Sequence, residues 1–266
     1  MPPPFAALLL DMDGVLYRGD APLPHAARFC RAIARWPHAF LTNNPTRTPA
    51  AVRAHLRALG LTPAPRAAVV TSAVATADWL ARQRTGFRYF AVGGEGLHRA
   101  LAARGRPDVA AADFVVVGEG PGLDYDSLTT GINLILQGAR LVATNPDANL
   151  DGTRHGRPVV LPGGGALVAP FAVASGVRPV VIGKPEPHLY EIALHQLGVA
   201  AREAVMVGDR PDTDILGAQR LGMRTALVRT GRFPPGAPLP DGVAPPDWDV
   251  PDLAALLAAW GLEAVA

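Results

Sequence analysis

The chain has 266 residues, 49% of them hydrophobic, with a formal charge of +2 and one cysteine, Cys30. This content excludes a disordered or fibrous chain and fills one large domain or two modest ones; a lone cysteine makes no internal disulfide and reads as a core thiol. No run of about 18 apolar residues can span a bilayer, Met1-Pro-Pro-Pro lacks the order of a secretory signal, and the dispersed arginines form no nucleic-acid stripe, so a cytoplasmic protein with neither membrane nor nucleic-acid partner is expected.

Leu8-Leu9-Leu10 is an apolar run that stops at Asp11 and Asp13 and then turns on Gly14. Such a run, bounded by a glycine turn, predicts a strand buried on both faces, as in a parallel sheet, with its chemistry at the carboxyl end. Side chains at i and i+2 of an extended strand point the same way, so both acids face one site. Like charges that close need a cation, and oxygen ligands point to Mg²⁺.

Strand-like and helix-like runs then alternate: helix 25–35, strand 39–42, helix 49–59, strand 67–71, helix 73–83. This βαβ rhythm predicts an α/β fold, a Rossmann-like parallel sheet with right-handed crossovers. It resumes after Val180 with helix 186–197, strand 205–207, helix 214–221 and strand 225–228. A second α/β set lies in the interval, with strands near 88–92, 114–118 and 140–144 and helices near 96–104, 128–137 and 164–176. We therefore expect a core of residues 1–81 and 178–266 carrying an inserted α/β domain, 82–177. Residues 232–246, rich in Pro and Gly, read as irregular, and Asp252 as the cap of a short helix, 253–260.

Lys184 is the only lysine among 25 basic residues, and it follows the apolar run Val180-Val181-Ile182. A compact ammonium kept where every other cation is a planar guanidinium suggests a specific task at a strand end. Thr42-Asn43-Asn44 follows Ala39-Phe40-Leu41, and Asp209 follows Val205-Met206-Val207-Gly208. The four segments supply a carboxylate nucleophile, a second acid, a hydroxyl with turn amides, an ammonium and a further metal ligand, the requirements of phosphoryl transfer through an aspartyl-phosphate. The clusters Gly93-Gly94-Glu95-Gly96 and Gly118-Glu119-Gly120-Pro121-Gly122 lack dinucleotide-binding spacing, and Gly163-Gly164-Gly165 reads as a helix opening.

Order and residue types resemble the haloacid dehalogenase superfamily over nearly the whole chain. Asp-Met-Asp-Gly-Val-Leu-Tyr, Leu-Thr-Asn-Asn-Pro-Thr-Arg, Ala143-Thr144-Asn145-Pro146-Asp147 and Gly208-Asp209-Arg-Pro-Asp-Thr213-Asp214 are similar to local patterns of its nitrophenylphosphatase group, which includes the NagD-like, phosphoglycolate and pyridoxal-phosphate phosphatases. The resemblance implies a phosphoric monoester hydrolase with Asp11 as nucleophile and Asp13 as general acid. Thr42, Asn43 and Asn44 would hold the phosphoryl oxygens, with Lys184 neutralising their charge. Mg²⁺ would be held by Asp11, the Asp13 backbone carbonyl and Asp209, with Asp214 in support; spacing leaves Asp212 open. In that group a cap loop hangs over the site, which makes 145–156, and Asn145 and Asp147 in it, candidate substrate contacts; His155 and His188 are equally surface residues or contacts. Homodimers joined through the cap are common there.

The residues give the same roles independent reasons. The metal and Lys184 favour ionised Asp11, while Asp13, lacking a side-chain bond to metal, keeps a proton for the leaving group. That second acid selects phosphate ester hydrolysis over dehalogenation. Two rivals are a phosphometabolite-binding regulatory protein with negligible turnover and a phosphoryl transferase such as a mutase. The resemblance implies that the inserted domain, 82–177, is an α/β cap, whereas it associates a mutase with a cap placed soon after the first Asp, where this chain has space for one helix and one strand. The partner is a small phosphorylated metabolite whose identity the sequence does not choose.

Overall fold

The computed structural model describes residues 5–154 and 157–262. In chain order its first elements are β1 (Ala7–Leu10), β2 (Tyr17–Arg18), β3 (Ala21–Pro22), α1 (Ala26–Ile33), β4 (His38–Thr42), α2 (Pro49–Ala58), β5 (Ala68–Thr71) and α3 (Ser72–Gln83). There follow β6 (Arg88–Val92), α4 (Glu95–Ala102), β7 (Arg106–Pro107), β8 (Phe114–Val117), α5 (Tyr125–Leu136), β9 (Arg140–Ala143), β10 (Asn149–Arg154), β11 (Arg157–Pro162), α6 (Gly164–Ser175) and β12 (Val180–Val181). The chain closes with α7 (His188–Leu197), β13 (Ala204–Gly208), α8 (Leu216–Arg220), β14 (Arg224–Val228), β15 (Trp248–Val250) and α9 (Leu253–Ala259). Among the described residues no helix is long and apolar enough to cross a membrane.

Two compact units result. The first comprises residues 1–42, 51–70 and 190–266, the second 43–50 and 71–189. In the first, six strands run in the order β15-β14-β13-β1-β4-β5. β1 pairs in parallel with β13 on one side (Leu10 opposite Val207) and with β4 on the other (Leu10 opposite Phe40). All four β1 residues and all five of β13 are buried, because helices cover both faces of the sheet. Phe29, Ile33, Leu56, Leu256 and Trp260 pack against the strands, and Phe5 meets Trp260 edge-on at 4.7 Å between ring centroids. The chain leaves β1 toward β4 and returns on the other side as β13, so the carboxyl end of β1 is a point where strand order reverses; ligands bind at such points.

The second unit has its own parallel sheet, β12-β9-β8-β6-β7, and the antiparallel hairpin β10–β11. Phe171 and Val168 of α6 and Leu134 and Ile135 of α5 bury the Val115–Val117 face. Asp124 caps α5 by accepting from the Ser127 amide at 2.8 Å while the Ser127 hydroxyl accepts from the Asp124 amide at 2.9 Å.

Several sequence expectations change here. Val180–Val181 pairs with Val142–Ala143, so it adds an edge to the second sheet instead of resuming the first. Helix α3 packs on α4. By their contacts the units divide at 42/43, 50/51, 70/71 and 189/190, whereas the sequence suggested an insertion over 82–177. In place of the loop expected after Asn145 the chain forms the hairpin β10–β11, and Trp248–Val250 pairs with β14 as a further strand. The helix expected from Asp214 starts at Leu216, preceded by a wide five-residue turn of π-helical pitch, Pro211–Ile215.

Candidate active site

The first unit gathers three carboxylates. Asp11 directly follows β1, its amide donating to Val207 O at 2.9 Å, and it is 8% exposed. The chain then turns tightly: the Leu16 amide reaches Met12 O at 2.8 Å and the Gly14 amide reaches Tyr17 O at 2.8 Å. Gly14 has φ 82°, the left-handed region a side chain rarely adopts. Asp209 follows β13, and its Oδ2 accepts from the Arg232 amide at 3.2 Å. The turn Pro211–Ile215 brings Asp214 back toward the strand, where its Oδ2 accepts from the Arg210 amide at 3.1 Å. One oxygen each of Asp11, Asp209 and Asp214 lie within 4.8 Å of one another.

Three buried carboxylates at that spacing repel unless a cation offsets them, and an all-oxygen donor set suits a hard divalent ion. Asp214, expected in support, contributes to the cluster itself. The Asp13 side chain does not belong to it: residue 13 is exposed on the turn. Asp212 also lies outside, its side chain 54% exposed and paired with Arg210 at 2.8 Å.

Neighbours that sequence reasoning missed hold the cluster. Tyr190 is fully buried, and its hydroxyl is within 2.8 Å of Thr213 O and 3.2 Å of Asp214 O. Burial first, then the Asp214 and Asp11 charges, hold its phenol well above the usual value, so it stays a donor. Thr230 Oγ1 donates to Gly14 O at 2.7 Å, and Arg18 donates to Thr230 O at 2.8 Å. A Cβ on Gly14 or Gly231 would collide with the Asp209 carboxylate. The available sequence signal was Thr230-Gly231, one residue beyond the apolar run of β14, another strand end.

In the second unit Lys184, 3% exposed, lies beyond β12. Asn43 brackets its peptide units: Asn43 Oδ1 accepts from the Lys184 amide at 2.8 Å and Asn43 Nδ2 donates to Lys184 O at 3.1 Å. The same Nδ2 donates to Asp147 Oδ2 at 3.0 Å. The Asn43 carbonyl accepts from Asn145 Nδ2 at 2.8 Å and from the Ser72 hydroxyl. Asn145, a candidate substrate contact by sequence, is fully buried, and its amide donates to Glu119 and to the Asn43 carbonyl. Asn44 Oδ1 accepts from the Thr46 amide at 2.8 Å and its hydroxyl at 2.6 Å, which closes a local turn. The His188 ring lies 6.0 Å from that of Trp79, and His155 is outside the described residues. Thr42 ends β4 in the first unit, and the next residue, Asn43, opens the second.

Two family models match, one described as haloacid dehalogenase-like hydrolase over residues 8–106 and one as HAD-hydrolase-like over residues 181–256. An acid sugar phosphatase of Staphylococcus saprophyticus is 37% identical over 231 residues, covering 85% of this chain and 87% of the relative. The chain belongs to the haloacid dehalogenase-like hydrolases. Among solved structures of this family, NagD from E. coli K-12 superposes with a TM-score of 0.84 at 31% identity, covering 94% of this chain and 97% of NagD. A thermostable nitrophenylphosphatase (NPPase) double mutant from Geobacillus stearothermophilus gives 0.85 at 32% identity, with 94% and 97% covered. A glycerol phosphate phosphatase from Mycobacterium tuberculosis, solved in complex with calcium, gives 0.78 at 37% identity, with 85% and 67% covered. Within the haloacid dehalogenase-like hydrolases this chain is a NagD-like phosphatase. The matched segments contain Asp11, Asp13, Thr42, Lys184, Asp209 and Asp214; Glu119, Asn145 and Asp147 lie outside both.

Proposed function

We propose that this NagD-like phosphatase hydrolyses small phosphate monoesters, sugar and polyol phosphates foremost, in the cytoplasm, with Mg²⁺ and through an aspartyl-phosphate on Asp11. The observation that carries the reading is the convergence of Asp11 and Asp209, at the ends of adjacent parallel strands, with Asp214 from the turn that follows, one oxygen of each within 4.8 Å. The activities of the relatives, acid sugar phosphatase and glycerol phosphate phosphatase, support the substrate class.

Asp11, Asp209 and Asp214 would hold the ion, with the Asp13 carbonyl; when bound it supplies positive charge that offsets the phosphoryl oxygens. An Asp11 oxygen attacks phosphorus and the bond from phosphorus to the ester oxygen breaks. Asp13 gives its proton to the departing alkoxide. Water then attacks the aspartyl-phosphate, its proton passes to Asp13, and inorganic phosphate leaves with Asp11 restored. Lys184 and the Asn43 amide hold the phosphoryl oxygens, aided by the Thr42 hydroxyl. Asp13 suits proton transfer because its carboxylate is outside the acid cluster.

Release of inorganic phosphate from a panel of sugar and polyol phosphates and p-nitrophenyl phosphate tests this, with Mg²⁺ or chelator. Turnover that chelator removes and Asp11→Asn abolishes is the expected result. A folded, Mg²⁺-supplied wild type that releases no phosphate from any of them would overturn it.

A further inference from the structure

A buried carboxylate in the second unit has no part in the reaction as set out above. Glu119 follows β8 and is 6% exposed, in a stretch where Gly118 and Gly120 offer no side chain. Its two oxygens lie 2.9 and 3.0 Å from Asn145 Nδ2, and Oε1 also accepts from the Gly164 amide at 2.9 Å, at the start of α6. Asn145 Nδ2 carries two hydrogens. One meets the carboxylate and the other the Asn43 carbonyl at 2.8 Å. The opposite end of the Asn145 amide is fixed as well, since Oδ1 accepts from the Asp147 amide at 3.1 Å.

Followed outward, the contacts form one path. Glu119 orients Asn145, Asn145 holds the Asn43 backbone, and the Asn43 side chain brackets Lys184 from both its amide and its carbonyl. We propose, on the strength of the phosphatase reading, that Glu119 is a positioning residue: through Asn145 it sets the Asn43 amide and Lys184 in the places from which they hold the phosphoryl group. Burying a carboxylate costs free energy, and burial pushes this one up to about 7 even against its hydrogen bonds, with Asp147 adding to the rise. Around it α6 presents the Gly164 amide, and the β6–α4 connection presents backbone, the Gly94 amide donating to Glu119 O at 2.8 Å. A group retained at that cost, on a path ending at the lone lysine, is explained by what it orients; an apolar side chain would fill the space more cheaply.

Glu119→Gln tests the assignment, because it keeps the size and the acceptor shared with the Gly164 amide, yet puts an NH₂ donor in place of the oxygen 3.0 Å from Asn145 Nδ2. Steady-state kcat and KM on p-nitrophenyl phosphate with Mg²⁺ are compared for wild type, Glu119→Gln, Asn145→Ala and the double variant, with Tm for each. Loss of kcat by about tenfold in Glu119→Gln with Tm kept or raised is expected, and no further loss when it is added to Asn145→Ala. An unchanged kcat, or a loss that multiplies with that of Asn145→Ala, overturns the assignment. Hydrogen exchange separates this outcome from failure of the phosphatase reading. The Lys184 amide, bonded to Asn43 Oδ1, exchanges faster in Glu119→Gln if the path is real and at the wild-type rate if it is not, whether or not the wild type turns over.

Discussion

Gly231 stands so close to the Asp209 carboxylate that a Cβ at residue 231 would overlap Oδ2. Thr230 and Arg232 on either side bond Gly14 O and Asp209 Oδ2, so the segment after β14 fixes both the Asp209 side chain and the turn that carries Asp13. Gly231→Ala therefore moves one carboxylate of the cluster without altering any charge. Calorimetric Mg²⁺ titration is expected to show affinity weakened at least about tenfold, the usual scale for losing a support of a metal ligand. Wild-type affinity in the variant would mean that Asp209 does not bind the ion.

Asp13 and Asp11 separate by leaving group. If Asp13 protonates the departing oxygen, Asp13→Asn slows release from alkyl esters such as sugar phosphates by about 10²–10⁴, and p-nitrophenyl phosphate far less, because nitrophenolate departs without a proton. Asp11→Asn removes the nucleophile and abolishes both. The ratio of the two rates in Asp13→Asn is the quantity to measure.

Lys184→Arg keeps the charge and replaces a compact ammonium with a planar fork at a position 3% exposed. We expect kcat/KM to fall by more than about tenfold with circular dichroism unchanged, since misplacement of a phosphoryl-binding charge by about 1 Å costs up to about a hundredfold.

Glu119 links stability to pH. Its carboxyl titrates at about 7 in the folded protein against 4.5 for an ordinary Glu. Protonation is thus easier in the fold than in the unfolded chain, and this group's stabilising contribution is full below pH 4.5 and lost as pH rises through 7. Glu119→Gln does not ionise, so its Tm relative to wild type is expected to be highest above pH 7, with the advantage shrinking as pH falls toward 4.5. Parallel Tm curves for the two proteins across that range would refute the shift.

Tyr190→Phe removes a hydroxyl buried against Thr213 O and Asp214 O. Denaturant unfolding is expected to show a loss of about 1–3 kcal/mol, the cost of leaving buried acceptors unsatisfied.

The acids were legible in the sequence because chemistry on parallel sheets collects at strand ends, and a strand end is a local feature: an apolar run, then polar residues. Asp11, Asp209 and Lys184 were all visible that way. Strand partnership was not legible, since Val180-Val181 has the same local pattern whichever sheet it joins, and pairing with Val142-Ala143 is a tertiary choice. That an Asp214 oxygen comes within 4.8 Å of the other two was not legible, because it depends on the wide turn Pro211–Ile215, whose pitch has no local sequence signature. Glu119 sat in a glycine-rich stretch considered only for nucleotide binding, and its partner Asn145 is 26 residues away. Gly231 carries no side chain, and its importance arises only from what lies beside it.

The central claim is covalent: Asp11 accepts the phosphoryl group. Wild-type enzyme mixed with substrate and Mg²⁺, quenched in acid and reduced with borohydride, converts an aspartyl-phosphate to homoserine, which peptide mass spectrometry locates. The account predicts homoserine at position 11 in the substrate-treated wild type and none in the substrate-free control. Turnover with no homoserine at position 11, or with homoserine at another aspartate, would contradict it.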